Sequence, residues 1–222
     1  MMIRKVVSLA LILAILSSIN LSAYAVAQPS QTNDATVTVV NLSDSITTHE
    51  IDEIVSSTHA CIKQKDGTVI PIESVVTIED ISEPSYYSNN TPDQKSYKVT
   101  VNATASDGVD KIVSNSGNKN NENVNATATL TLVWTDGPGL ENVIKEVSGT
   151  IRVDKGRITS SYVDWGNGWE TAVNWHREQL RDVPRFVFYP NMKVPCPKAM
   201  YTIIFANDFL SLTVIVSSSV FQ

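Results

Sequence analysis

The stretch from Asp164 to Glu170, DWGNGWE, sets two indoles, two glycines and three oxygen-bearing side chains within seven residues. Exposed Trp on a rigid sheet edge holds sugar rings by apolar stacking, and neighbouring Asp, Asn and Glu side chains add polar contacts. Asp164, Trp165, Asn167, Trp169 and Glu170 are therefore the candidate ligand-binding residues. Trp is also a largely buried residue type, so the competing reading places Trp165 and Trp169 in the core, with Gly166 and Gly168 merely turning the chain.

Other chemistry is poorly supported. Asp164, Asn167 and Glu170 offer oxygens to a hard cation, but their spacing is not that of an EF-hand loop. His49-Glu50-Ile51-Asp52-Glu53 begins like a zincin helix, yet Glu53 stands where the second His is required. His59-Ala60-Cys61 is one short pair and cannot supply four zinc ligands. No metal site and no cofactor is expected. A thiol hydrolase would need Cys61 or Cys196 beside His59 or His176, with an orienting Asp or Asn, and no local text supports that. No G-x-S-x-G elbow occurs. The carboxylates Asp52/Glu53 and Glu79/Asp80 with Glu83 are more in keeping with solvated acidic turns than with a glycosidase pair. No catalytic residue is assigned. Asn41, Asn102 and Asn125 open N-x-S/T triplets, which matter only in a host that glycosylates them.

The chain start bounds the compartment. Arg4 and Lys5 precede an apolar run from Val6 to Leu16 and small-residue sites at Ala23-Tyr24-Ala25 and Ala25-Val26-Ala27. That is the pattern of a secretory signal peptide over 1–27, too short in its apolar part to span a bilayer. The expected product is a secreted or loosely surface-associated domain over 28–222, with no transmembrane span. Arg4 and Lys5 are the only charges in the leader, so the remainder carries 15 basic and 23 acidic side chains, a formal charge of −8. An acidic chain with scattered Lys and Arg repels nucleic acid. In an oxidising compartment the two cysteines, Cys61 and Cys196, are expected to form a disulfide.

Alternation dominates what must position these residues. Ala35 to Leu42 has the two-residue period of a half-buried strand. Thr47-Thr48-His49-Glu50 has capping-box spacing, with Ile46 and Ile51 placed as a hydrophobic staple, and predicts a helix from Thr48 to Ser57. Turn chemistry at Lys65-Asp66-Gly67 separates further strands, and Pro71 argues for an edge. Val-Asn-Ala-Thr-Ala occurs at 101–105 and again at 124–128, and the two segments are expected to pair antiparallel across a polar linker. Asn123 to Glu170 reads as a meander of three antiparallel strands, and 166–182 as a short helix with Trp169, Val173, His176 and Leu180 on one stripe. Tyr201 to Ala206 and Phe209 to Val216 form a hairpin.

Nine or ten short β segments with little helix predict an all-β antiparallel sandwich of immunoglobulin-like type with one or two short helices, a β-barrel being the alternative. Export without a catalytic signature points to a binding or adhesion module at the cell surface or in the medium, meeting a surface glycan or protein. Two rivals stand beside it. One is a secreted hydrolase with a fold-assembled carboxylate or Cys/His site, and the other is an assembly subunit using the apolar segment from Phe209 to Phe221.

Overall fold

The computed structural model describes residues 23–24 (backbone only), 36–64, 66–82, 94–105, 124–137, 141–168, 175–180, 183–205 and 210–218. Among the described residues the chain is all-β, with two sheets and one short helix, and neither sheet closes into a barrel. The strands are β1 (Ala23–Tyr24), β2 (Val37–Asn41), β3 (His59–Gln64), β4 (Val69–Pro71), β5 (Ser74–Asp80), β6 (Ser96–Ala105) and β7 (Asn125–Thr135). They continue with β8 (Asn142–Lys155), β9 (Ile158–Asn167), β10 (Trp175–Leu180), β11 (Arg185–Phe188), β12 (Met192–Val194), β13 (Pro197–Phe205) and β14 (Leu210–Ser217). The helix is α1 (Thr48–Ser57). The first sheet runs β1-β2-β5-β6-β7-β8-β11, with β12 also on β8, and the second runs β10-β9-β13-β14-β3-β4.

Alternation places the core between the sheets. Val99, Val101, Leu130, Leu132 and Ile144 of the first sheet and Tyr201, Ile203, Leu212 and Val214 of the second are all fully buried. They belong to one continuous apolar cluster. The repeated five-residue text pairs with itself as expected, with Ala103 opposite Ala128 and Ala105 opposite Ala126. Each alanine faces the core at 0 to 1 % exposure, while Thr104 and Thr127 share a hydrogen bond outside. Gly149 is required on β8: a Cβ there would lie 2.6 Å from the Thr129 carbonyl oxygen and 2.6 Å from Phe186 Cζ. Phe186, its register partner, uses that space to meet Tyr201 edge-on across the sandwich at 5.0 Å.

Helix α1 forms as its capping box dictates. The Thr47 side chain accepts from the Glu50 amide, and the Glu50 carboxylate accepts from the Thr47 amide at 2.7 Å. Pro71 ends the edge strand β4, as a residue without a ladder donor should. The 13-to-14 hairpin is antiparallel throughout.

Three expectations are corrected. β9 does not continue a meander with β7 and β8. It crosses to the second sheet, where β13 and β10 flank it, although only Gly156 and Arg157 separate it from β8. The short helix predicted over 166–182 is not formed at 175–180; those residues are the edge strand β10, and 169–174 lie outside the described residues. Pairing with β9 rewards the period-two order of Trp175, Arg177 and Gln179 against His176, Glu178 and Leu180, outweighing a helical stripe that left Trp175 stranded. The sheets are not wholly antiparallel, because β2 runs parallel to β5. The chain between them, which includes α1, β3 and β4, supplies the long crossover a parallel pair needs.

Candidate functional site

Strand β9 determines where the nominated residues point. Its odd-numbered members Ser161, Val163 and Trp165 turn to the core. Ser160, Tyr162, Asp164 and Gly166 therefore line the outer face of the second sheet. Trp165 is 4 % exposed, with its ring 5.1 Å from Phe188 and 4.6 Å from His176, so it is a core residue and no sugar platform. Asn167 is 3 % exposed at the end of β9, opposite Pro197. Of the nominated set only Asp164 faces outward; Trp169 and Glu170 lie outside the described residues.

Asp164 nonetheless has only 5 % of its side chain exposed, because Arg177 covers it. The two residues are register partners on β9 and β10. Arg177 Nε donates to Asp164 Oδ1 at 2.6 Å and Nη2 donates to Oδ2 at 3.1 Å, a two-point fork. The guanidinium carbon also sits 4.1 Å from the centre of the Tyr162 ring, within cation–π range. Its hydrogen bonds to the Asp164 carboxylate push the guanidinium pKa further up. Arg177 is thus fixed in orientation while 60 % of its side chain remains exposed. A guanidinium has five N–H donors, so this fork leaves three for solvent or a ligand.

Register extends the face sideways. Beside Arg177 and Asp164 come Met200, Ile215 and His59, and the next row carries Gln179, Tyr162, Thr202, Thr213 and Cys61. Lys198 lies one row away, next to Gly166 and Ser217, and Lys63 faces outward on β3. Partial burial lowers the Lys198 pKa, an effect the nearby Cys196 opposes. Burial, and then the Lys198 charge, lowers the His59 pKa, which keeps this ring neutral at neutral pH. Burial raises the Cys61 thiol, with Lys63 opposing, so Cys61 is a poor nucleophile.

Cys61 and Cys196 do not form the expected disulfide. Cys61 pairs with Thr213, whereas Cys196 lies against Ser217, 3.9 Å from its hydroxyl. The two cysteines are thus separated by roughly 14 Å along β14, beyond the ~7 Å Cα separation a disulfide tolerates. Cys196 also abuts Gly168, whose missing side chain makes room for the sulfur.

The carboxylates nominated for hydrolysis are engaged elsewhere. Asp52 and Glu53 are exposed on α1, and Glu79 bridges Lys98 at 3.1 Å. Asp80 accepts from Ser45 at 2.6 Å and from Ser82. Glu83 lies outside the described residues. Among the described residues no group of three or more His, Cys, Asp or Glu is placed to hold a metal. Sequence reasoning missed Arg177, Tyr162 and Lys198. The signal that could have found them is the alternation in 175–180 and 158–167, once those segments are taken as neighbours.

Comparison with known families, curated proteins and solved structures finds no match to the chain.

Proposed function

We propose that this protein is an exported, non-catalytic β-sandwich that acts by binding at a cell surface or in the surrounding medium. The outer face of the six-stranded sheet is its contact surface. We take the sandwich as immunoglobulin-like in the broad sense of two packed sheets joined by strands that cross between them. The observation that carries the reading is Arg177, aligned by a buried carboxylate and an aromatic ring yet exposed over most of its length. A guanidinium fixed in this way loses little conformational entropy when it engages a partner. The leader sequence, read as a signal peptide, is the support for export.

Two features favour recognition over bond-breaking. Cys61, the thiol on this face, is held protonated by burial, and the nearby His59 has no carboxylate register partner to orient it. Against the assembly reading, β14 is paired on both sides, by β13 and by β3, and so is not a strand open for donation.

Hydrogen–deuterium exchange on the purified chain, with and without soluble bacterial exopolysaccharides and peptidoglycan fragments, tests the reading. Protection is expected in 158–167, 175–180 and 197–205. Protection confined to the first sheet, or turnover of any of these polymers, would overturn it.

A further inference from the structure

We infer that the outer face of the six-stranded sheet takes a carboxylated polysaccharide, with Arg177 as the fork that meets a carboxylate; this rests on the binding reading above. Charge is the first ground. The chain as a whole carries a formal charge of −6. Among the described outward strand positions of this face, however, are Arg177, Lys198 and Lys63, and Asp164 is the one acidic residue there. The Asp164 charge is already matched by Arg177 at 2.6 Å. A positive face on an acidic protein steers an anion to this sheet and away from the rest of the surface.

Spacing is the second ground. With strands about 4.8 Å apart and alternate residues about 6.8 Å apart along each strand, Arg177 and Lys198 lie on the order of 12 Å from one another, and Lys63 lies about 23 Å from each of them, at the other end of the face from Lys198. A small anion reaches one of these cations. A chain bearing an anionic group on successive units can span the distance from Arg177 to Lys63 and meet both.

The surface between the cations says what kind of chain. Gln179 spends its amide nitrogen on Ser160 Oγ and the Ser161 carbonyl and leaves its amide oxygen to accept, the Thr213 hydroxyl sits 3.5 Å from that of Thr202, and Met200, Ile204 and Ile215 are half-buried and present short apolar strips. Hydroxyl partners beside apolar strips suit a sugar ring, with its polar rim and C–H faces. They do little for a bare polyphosphate. A lipid surface is also disfavoured, since among the described residues Val69, at the far edge, is the only large apolar side chain on this face that projects into solvent.

The test uses the full chain and three probes: polygalacturonate, the same polymer with its carboxylates methyl-esterified, and phosphatidylcholine vesicles containing phosphatidylglycerol. Calorimetric titration is expected to show binding to polygalacturonate that weakens with salt and falls by about tenfold or more on esterification. Arg177→Gln is expected to lose about tenfold, and Arg177→Lys to recover only part of it, because the point charge lacks the fork. Lys63→Glu, which touches neither Asp164 nor Tyr162, is expected to weaken binding several-fold, about what one reversed charge on a shared face contributes, and circular dichroism checks that each variant folds. Equal binding of the acid and its ester would overturn the carboxylate inference while leaving the binding reading intact. Loss of vesicle binding in Lys63→Glu, with polygalacturonate inert, would assign the face to a membrane and overturn it. Absence of binding to any probe by the folded chain would overturn it too, and exchange protection of this sheet by another polymer would show that the broader reading survives.

Discussion

Removing the Glu50 carboxylate should loosen the end of the sandwich where α1 meets the first sheet. Glu50 Oε1 accepts from Lys95 Nζ at 2.7 Å and from the Tyr97 hydroxyl at 2.6 Å, while Oε2 closes the capping box with Thr47. Tyr97 is 4 % exposed and stacks on Trp134 at 5.2 Å, so its hydroxyl has no ready access to water. In Glu50→Ala, loss of the capping box costs ~1 kcal/mol. The stranded Tyr97 hydroxyl costs ~1 to 2 kcal/mol, and the half-exposed Lys95 bridge ~0.5 kcal/mol. The sum, about 3 kcal/mol, should lower Tm by roughly 6 to 12 °C for a chain of this size.

The same carboxylate ties stability to pH. Burial would raise its pKa, but Lys95, Tyr97 and Thr47 outweigh burial and hold it at about 2 against an ordinary value of 4.5. The stabilisation is therefore complete above about pH 4.5 and disappears as the pH falls through about 2. The ceiling set by that displacement is ~3 kcal/mol, which solvent screening of a partly exposed group reduces to ~1 to 2 kcal/mol. Urea denaturation of the wild type and of Glu50→Gln between pH 7 and pH 2.5 reads this directly. The wild type should lose that increment on acidification and Glu50→Gln should not. Identical acid slopes in the two proteins, or a Glu50→Ala variant as stable as the wild type, would refute the assignment of the Glu50 network.

Gly149→Ala should cost ~2 to 3 kcal/mol, because its Cβ meets the Thr129 carbonyl at 2.6 Å and the strand cannot move without breaking the β7 ladder; a denaturation midpoint equal to the wild type would contradict it. The two thiols should both react with a disulfide reagent in denaturant, while in the native protein Cys196, 1 % exposed, stays protected and Cys61 reacts slowly. A reductant should leave Tm unchanged, and an intact mass about 2 Da light would expose a disulfide. Truncation after Asp208 removes β14, an interior strand of the second sheet, and should give an unfolded chain by circular dichroism and not a monomer freed from an oligomer.

What could be read from sequence follows the range over which each signal acts. The capping box, the Pro71 edge, the self-pairing alanine repeat and the C-terminal hairpin depend on contacts between near neighbours or on a two-residue period, and the structure forms each of them. The crossing of β9 could not be read this way. Its alternation is equally satisfied in either sheet, and the deciding contacts come from β13 and β10, which follow it in the chain. That single assignment governs the site. With β9 left beside β8, Arg177 would have no Asp164 to meet, and Trp165 could face water as easily as the core.

Because β9 lies in the second sheet, Trp165 falls into the seam between the sheets against Phe188, and the outward register of the same strand delivers Asp164 to Arg177. Trp165, from the aromatic cluster that stood out in the text, therefore serves the interior. The binding we propose rests instead on a guanidinium that no sequence motif announced, on an edge strand where a shift by one residue would turn Arg177 inward and His176 out. The Asp164–Arg177 fork itself opposes that shift: moving β10 by one residue would leave a carboxylate with 5 % exposure facing no cation. One ion pair thus contributes both to the register of the edge and to the orientation of the exposed Arg177 guanidinium.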